Sequence, residues 1–185
     1  ADSIAVIGAG AREEEVKALI RQVVEPDGPQ HATVIGAGIR TEPAKAGLIN
    51  GTAGTFLELD EGNQFARGHP GIHVFPAALA MAEARKLSGR QLLTALSLGY
   101  EVCSRIGIAC KIRMSMHPQG SWGTVGAAVA VGKLLGYDRA AIRALNTIQS
   151  LGACEFCGSS RWGVPASEDQ RNTALFGAPS SGAKL

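Results

Sequence analysis

The sequence predicts a mainly α protein, a helical bundle or array of helices with short connections. Three observations carry this. Several stretches place apolar residues at i, i+3, i+4 and i+7, the spacing of one helix face. Strand-like residues are too few to supply a sheet of ordinary size. Hydrophobic residues make up 45% of the chain and charged residues 18%, so a core can be buried. The chain also carries 24 glycines among its 185 residues, many inside helical segments. Each interior glycine costs about 1 kcal/mol against alanine, which points to helices packed closely or to backbone approaching a ligand.

The elements follow in order. Residues 1–10, ADSIAVIGAG, are apolar without a clear period and fit a strand or a buried helix. Arg12 to Val24 is an amphipathic helix on Val16, Leu19, Ile20, Val23 and Val24, with Glu13, Glu14 and Glu15 in its first turn. Ala32 to Ile35 is strand-like and is closed by Gly36 and Gly38. A helix then runs from Pro43 to Leu59, with Thr41 as N-cap and a kink allowed at Asn50-Gly51. Pro76 to Leu87 is a helix rich in alanine. Ser88 and Gln91 form a capping box that opens a long, largely apolar helix from Arg90 to Ile112, expected to be buried and central. After an irregular segment, Arg113 to Gly120, a small-residue helix spans Ser121 to Leu135. Asp138 caps a last helix from Arg139 to Ser150, and residues 151–185 turn irregular and rich in Gly, Ser and Pro.

Composition excludes several classes. The net charge is +2 with scattered basic residues, unlike a nucleic-acid footprint. Apolar runs break before the length of a membrane span, and the N-terminus does not read as a secretory signal. The four cysteines form no small disulfide framework, so reduced thiols in a cytoplasmic protein are the economical reading.

The local motifs are weak. Gly8-Ala9-Gly10 begins like a dinucleotide fingerprint, but Glu13 stands where the third glycine belongs and would repel a pyrophosphate. Cys154-x-x-Cys157 lacks a second pair at metal spacing, and Cys103 and Cys110 read as core residues. Ser121 and Ser159 lack the context of a serine nucleophile.

The stretch from Glu58 to Pro76, ELDEGNQFARGHPGIHVFP, stands apart. Glu58, Asp60, Glu61 and His69 fall within twelve residues, so carboxylates lie near a group that titrates around neutral pH. Taken alone, these residues fit a solvated turn better than a site. His69 and His117 each precede a proline in an irregular segment between helices, where stiff backbone can fix an imidazole. His73 reads as structural and His31 as exposed.

Three segments in order, GLINGTAGTFLELDEGNQFARGHPGIHVFPAALAMAE, SGRQLLTALSLGYEVCSRIGIA and MHPQGSWGTVGAAVAVGKLLGYD, resemble the MmgE/PrpD family over roughly residues 1–160. That family includes 2-methylcitrate dehydratase, cis-aconitate decarboxylase and iminodisuccinate epimerase. The resemblance implies part of an all-α domain over 1–160, without the family's α+β lid, followed by an irregular segment over 161–185. It implies a small di- or tricarboxylate substrate, proton transfer α to a carboxylate, no metal or organic cofactor, and a homodimer. By resemblance Glu58, His69 and His117 are catalytic, with His117 as acid/base, while Asp60 and Arg171 bind substrate. Gln119 stands where the family usually has Thr. The family chain is more than twice as long, so the alternative is a truncated, inactive piece with a structural or interaction role. The hairpin joined at Ser88 is expected to bring His69 and His117 to one end of the bundle.

Overall fold

The computed structural model describes residues 1–110 and 121–145. The mainly α architecture holds. Helices α1 (Asp2–Gly10) and α2 (Glu14–Val23) precede a small hairpin, β1 (Ala32–Val34) and β2 (Ile39–Thr41). Helices α3 (Pro43–Phe56), α4 (Pro70–Ala84), α5 (Gly89–Ala109) and α6 (Trp122–Leu134) follow. A further helical stretch, α7, covers residues 139–145. The segment Arg113 to Gly120 and everything from residue 146 onward lie outside the described residues.

Helix α4 is the centre of the molecule. Pro70, Ile72, Val74, Pro76, Ala78, Ala80 and Ala82 are all buried along it. Ile72 and Ala80 join a core of Ile7, Val16, Val34, Ala46, Ile49 and Ala53, drawn from α1, α2, the hairpin and α3. Val74 and Ala78 join a second core of Ala66, Ala95, Cys103, Trp122 and Ala130, drawn mainly from α5 and α6. One helix therefore buries two faces, and its alanines let neighbours approach on both sides. It begins six residues earlier than expected, at Pro70 rather than Pro76. A proline at the first helical position loses no bond, because that N–H would be unpaired anyway. Pro76 is instead carried inside the helix, fully packed.

Helix α5 corrects a second expectation. Its capping box is present, with Ser88 Oγ accepting from Gln91 N–H and the Gln91 side chain accepting from Ser88 N–H. The helix is buried on one side only, through Ala95, Gly99, Cys103, Ser104 and Gly107. Leu93 and Ile108 are 67% and 59% exposed. Length and apolar content gave no direction to the packing; the four-residue spacing of small side chains does. A Cβ on Gly99 would lie 2.6 Å from Gly126 O, and one on Gly126 2.7 Å from Cys103 Cβ. The glycines thus serve a near-contact crossing of α5 and α6. Burial pushes the Cys103 thiol up to about 12, as suits a core residue.

Helix α1 settles the ambiguous first ten residues. Its GAG sequence is helical and packs on α3, where a Cβ on Gly10 would sit 1.9 Å from Ala53 O. That contact, and the absence of a strand before Gly8, removes the dinucleotide-loop reading.

Strand β2 was not expected. Gly36 and Gly38 form the turn with φ of +82° and +69°, where glycine is favoured. The strands pair antiparallel with Ala32 opposite Thr41 and Val34 opposite Ile39. Thr41 therefore belongs to β2, and Glu42 takes the N-cap position of α3. Helix α3 passes through Asn50-Gly51 without a break and stops at Phe56. The buried Asn50 side chain is used elsewhere: its Oδ1 accepts from Ile35 N–H at 2.9 Å and its Nδ2 donates to Thr33 O at 2.9 Å. From α4, the Glu83 carboxylate accepts from Thr33 N–H at 2.5 Å and from Thr33 Oγ1 at 2.8 Å. The hairpin is thus pinned to both helices.

Asn50→Ala would leave a backbone donor and acceptor of the hairpin unpaired, at about 1–3 kcal/mol for each buried group left so. Urea denaturation should therefore show a loss of about 3 kcal/mol; a loss under about 1 kcal/mol would mean that Asn50 does not hold the hairpin.

Candidate active site

Two residues beyond the end of α3, Glu58 lies in the left-handed region, at φ +52°. The chain then turns toward α4 through a compact loop. Asn63 Oδ1 accepts from Phe65 N–H and Ala66 N–H, both at 3.1 Å. Asn63 and Gly68 also form an isolated antiparallel bridge. Asn63 Nδ2 donates to Ser104 Oγ at 3.4 Å, and Ala66 is buried against Gly107. The loop before α4 therefore lies along the C-terminal half of α5, as an antiparallel α4–α5 hairpin requires.

Glu61 ties this region together. Its Oε2 accepts from Gly71 N–H at 2.8 Å, one of the unpaired donors in the first turn of α4. Its Oε1 accepts from the Tyr100 hydroxyl of α5 at 2.9 Å. Its backbone oxygen lies 2.9 Å from His69 Nδ1. A Cβ at position 71 would sit 2.5 Å from Glu61 Oε2, so a glycine there leaves room for the carboxylate.

His69 is the N-cap residue of α4, and its side chain is 32% exposed. Its Nδ1 also lies 3.3 Å from Asp60 Oδ2, whose side chain is only 3% exposed. The geometry assigns the hydrogen bond to the Glu61 carbonyl, because Asp60 Oδ2 makes none. A carbonyl only accepts, so Nδ1 carries the proton. The neutral ring then has a bare Nε2, able to take a proton.

Burial raises the Glu61 carboxyl above the ordinary 4.5, opposed by the bonds from Tyr100 and Gly71. Burial and the bond to Glu61 both raise the Tyr100 hydroxyl.

Among the sequence-predicted residues, the structure brings Asp60 and His69 together. Glu58 is exposed, and its side chain makes no hydrogen bond or ion pair among the described residues. His117 and Arg171 lie outside the described residues, as do Cys154 and Cys157. His73 is partly buried edge-on to Trp122, with ring centroids 5.9 Å apart. Sequence reasoning counted Glu61 among the acids but gave it no role, and it missed Tyr100. A usable signal was the pair Tyr100 and Ser104, four residues apart, beside the small-residue stripe of an otherwise apolar helix.

The family profile of the MmgE/PrpD N-terminal domain matches residues 1–160. The chain belongs to this family. It is similar to a cis-aconitate decarboxylase-like protein, oryM, of Aspergillus oryzae, with 32% identity over 60% of this chain and 25% of that protein. It is also similar to cis-aconitate decarboxylase of Homo sapiens, with 36% identity over 53% of this chain and 22% of that protein. The mouse enzyme of that name is 35% identical over 52% of this chain and 21% of its own length. The chain thus spans about a quarter of the length of these MmgE/PrpD relatives.

The raised Glu61 carboxyl fixes the sign of a pH effect. The folded state holds that proton more tightly than the unfolded chain. Its contribution to stability is complete below the unfolded value and is lost as pH rises through the folded value. The stability of Glu61→Gln relative to the parent should therefore increase between pH 4.5 and neutrality. Urea midpoints across that window check this, and a constant difference would contradict it.

Proposed function

We propose that these residues form one wall of the active site of a lyase-type enzyme, which moves a proton at a carbon α to a carboxylate of a small di- or tricarboxylate. The observation that carries this reading is the His69 ring, held through Nδ1 with Nε2 bare and a buried carboxylate beside it. Such a ring can take a proton from carbon at Nε2 or, once protonated there, return one. The names of the similar proteins favour decarboxylation of cis-aconitate over dehydration or epimerisation. In that reaction one carboxylate leaves as carbon dioxide and the carbanionic carbon collects a proton. His69, after taking a proton from water at Nε2, supplies that proton and returns to the neutral ring, with His117 as the second acid/base. Arg171 is the candidate cation for a substrate carboxylate.

Incubation with cis-aconitate, 2-methylcitrate and iminodisuccinate, with product identification, tests the reading. His69→Gln should lower turnover by about 10²-fold or more, the usual scale for loss of an acid/base group. Unchanged turnover would remove His69 from the chemistry.

A second reading rests on the exposed apolar side of α5, where Leu93, Leu98 and Ile108 face outward. On it, the chain acts as an interaction piece, and a second copy covers this face to form a homodimer. Sedimentation should then show a dimer that Leu93→Glu converts to monomer. A monomer at every concentration would exclude self-association through α5.

A further inference from the structure

We propose that Tyr100 is a positioning residue of this site: its hydroxyl holds the Glu61 side chain, and through Glu61 it fixes which nitrogen of His69 carries the proton. The inference rests on the reading that His69 works through Nε2. It adds a residue on another helix, bonded to Glu61.

The Glu61 carboxylate has two anchors among the described residues, Gly71 N–H and the Tyr100 hydroxyl. Gly71 is the second residue of the helix that His69 caps, so it moves with α4. Tyr100 lies on α5, which is locked to α6 by the Gly99–Gly126 contact. The hydroxyl is thus an anchor on a second helix. With both anchors in place the Glu61 backbone is fixed, and its carbonyl is aimed at His69 Nδ1. With Gly71 alone, Glu61 has one tie fewer to the helices, and the backbone that aims the carbonyl at Nδ1 is less restrained.

The surroundings support a dedicated role. The titratable groups that face Glu61 are Asp60 and His69 from its own loop region, and Tyr100 and Cys103 from α5. Of these, Tyr100 alone donates to its carboxylate. Asn63 and Ser104, bonded to each other beside this pair, hold the same loop against the same face of α5. A tyrosine serving only as packing needs no such acceptor, because phenylalanine fills the same space.

The test is Tyr100→Phe in the full chain, read by long-range ¹H–¹⁵N correlation of the His69 imidazole at neutral pH. The parent should show the Nδ1–H tautomer as the dominant form. Tyr100→Phe should lose that dominance and gain the Nε2–H form. In a Glu61→Ala background, Tyr100→Phe should cause no further change, since the hydroxyl acts through Glu61. An unchanged tautomer in Tyr100→Phe overturns the proposal, and so does an equal effect with Glu61 already removed. If the phenylalanine variant does not fold, 3-fluorotyrosine at position 100 keeps the ring and strengthens the donor. It should lower the titration midpoint of the Glu61 carboxyl, and no movement there overturns the proposal. None of these readouts needs turnover. A chain inactive on every carboxylate tested would overturn the proposed function while leaving this inference to stand or fall separately.

Discussion

The candidate site depends on one carboxylate. Glu61 joins a loop, the first turn of α4 and the middle of α5 through two side-chain bonds and one backbone carbonyl. Each of the two bonds to the carboxylate is worth about 1.5–3 kcal/mol when it is ionised. Their joint effect is geometric. The carboxylate occupies the positive end of α4, where unpaired N–H groups and the helix dipole favour an anion. Its carbonyl faces the imidazole that caps the same helix. The chemistry available to His69 therefore follows from how the helix start is satisfied.

The scaffold makes that start rigid. Helix α4 buries residues on two sides, so its first turn cannot shift without disturbing both cores. Side chains of four-residue spacing along α5 bring it against α6, and the close crossing leaves Tyr100 and Ser104 on the flank toward the loop. Glycine and alanine thus act on function indirectly. They remove the side-chain volume that would hold the helices apart and blur the distances between elements.

Much of the fold was legible in the sequence because its signals are local. Apolar periodicity, the capping box at Ser88 and Gln91, and the Asp138 cap, which accepts from Ala141 N–H at 2.8 Å, all act within a few residues. The errors arose where distant contacts override local preference. Pro76 reads as a helix start, yet tertiary packing on both sides of α4 holds it in the interior. Asn50-Gly51 reads as a turn, yet the Asn50 amide is taken by the hairpin. Helix α5 reads as buried and central, although its outward leucines remain exposed. The site was legible as a cluster of acids before a histidine, but not as a set of partners. Adjacent acids diverge in direction: Glu58 leaves the helix exposed, Asp60 is buried beside the ring, and Glu61 reaches α5. Nothing in their spacing states which is which.

The central claim is that the Glu61 backbone and side chain set the protonation pattern of His69. The most direct measurement is the ¹⁵N chemical shift of both His69 ring nitrogens at neutral pH, in the parent chain and in Glu61→Ala. The account predicts a protonated Nδ1 and a bare Nε2 in the parent, with that preference lost in Glu61→Ala. A parent ring protonated on Nε2, or a ring indifferent to the Glu61 substitution, would contradict it.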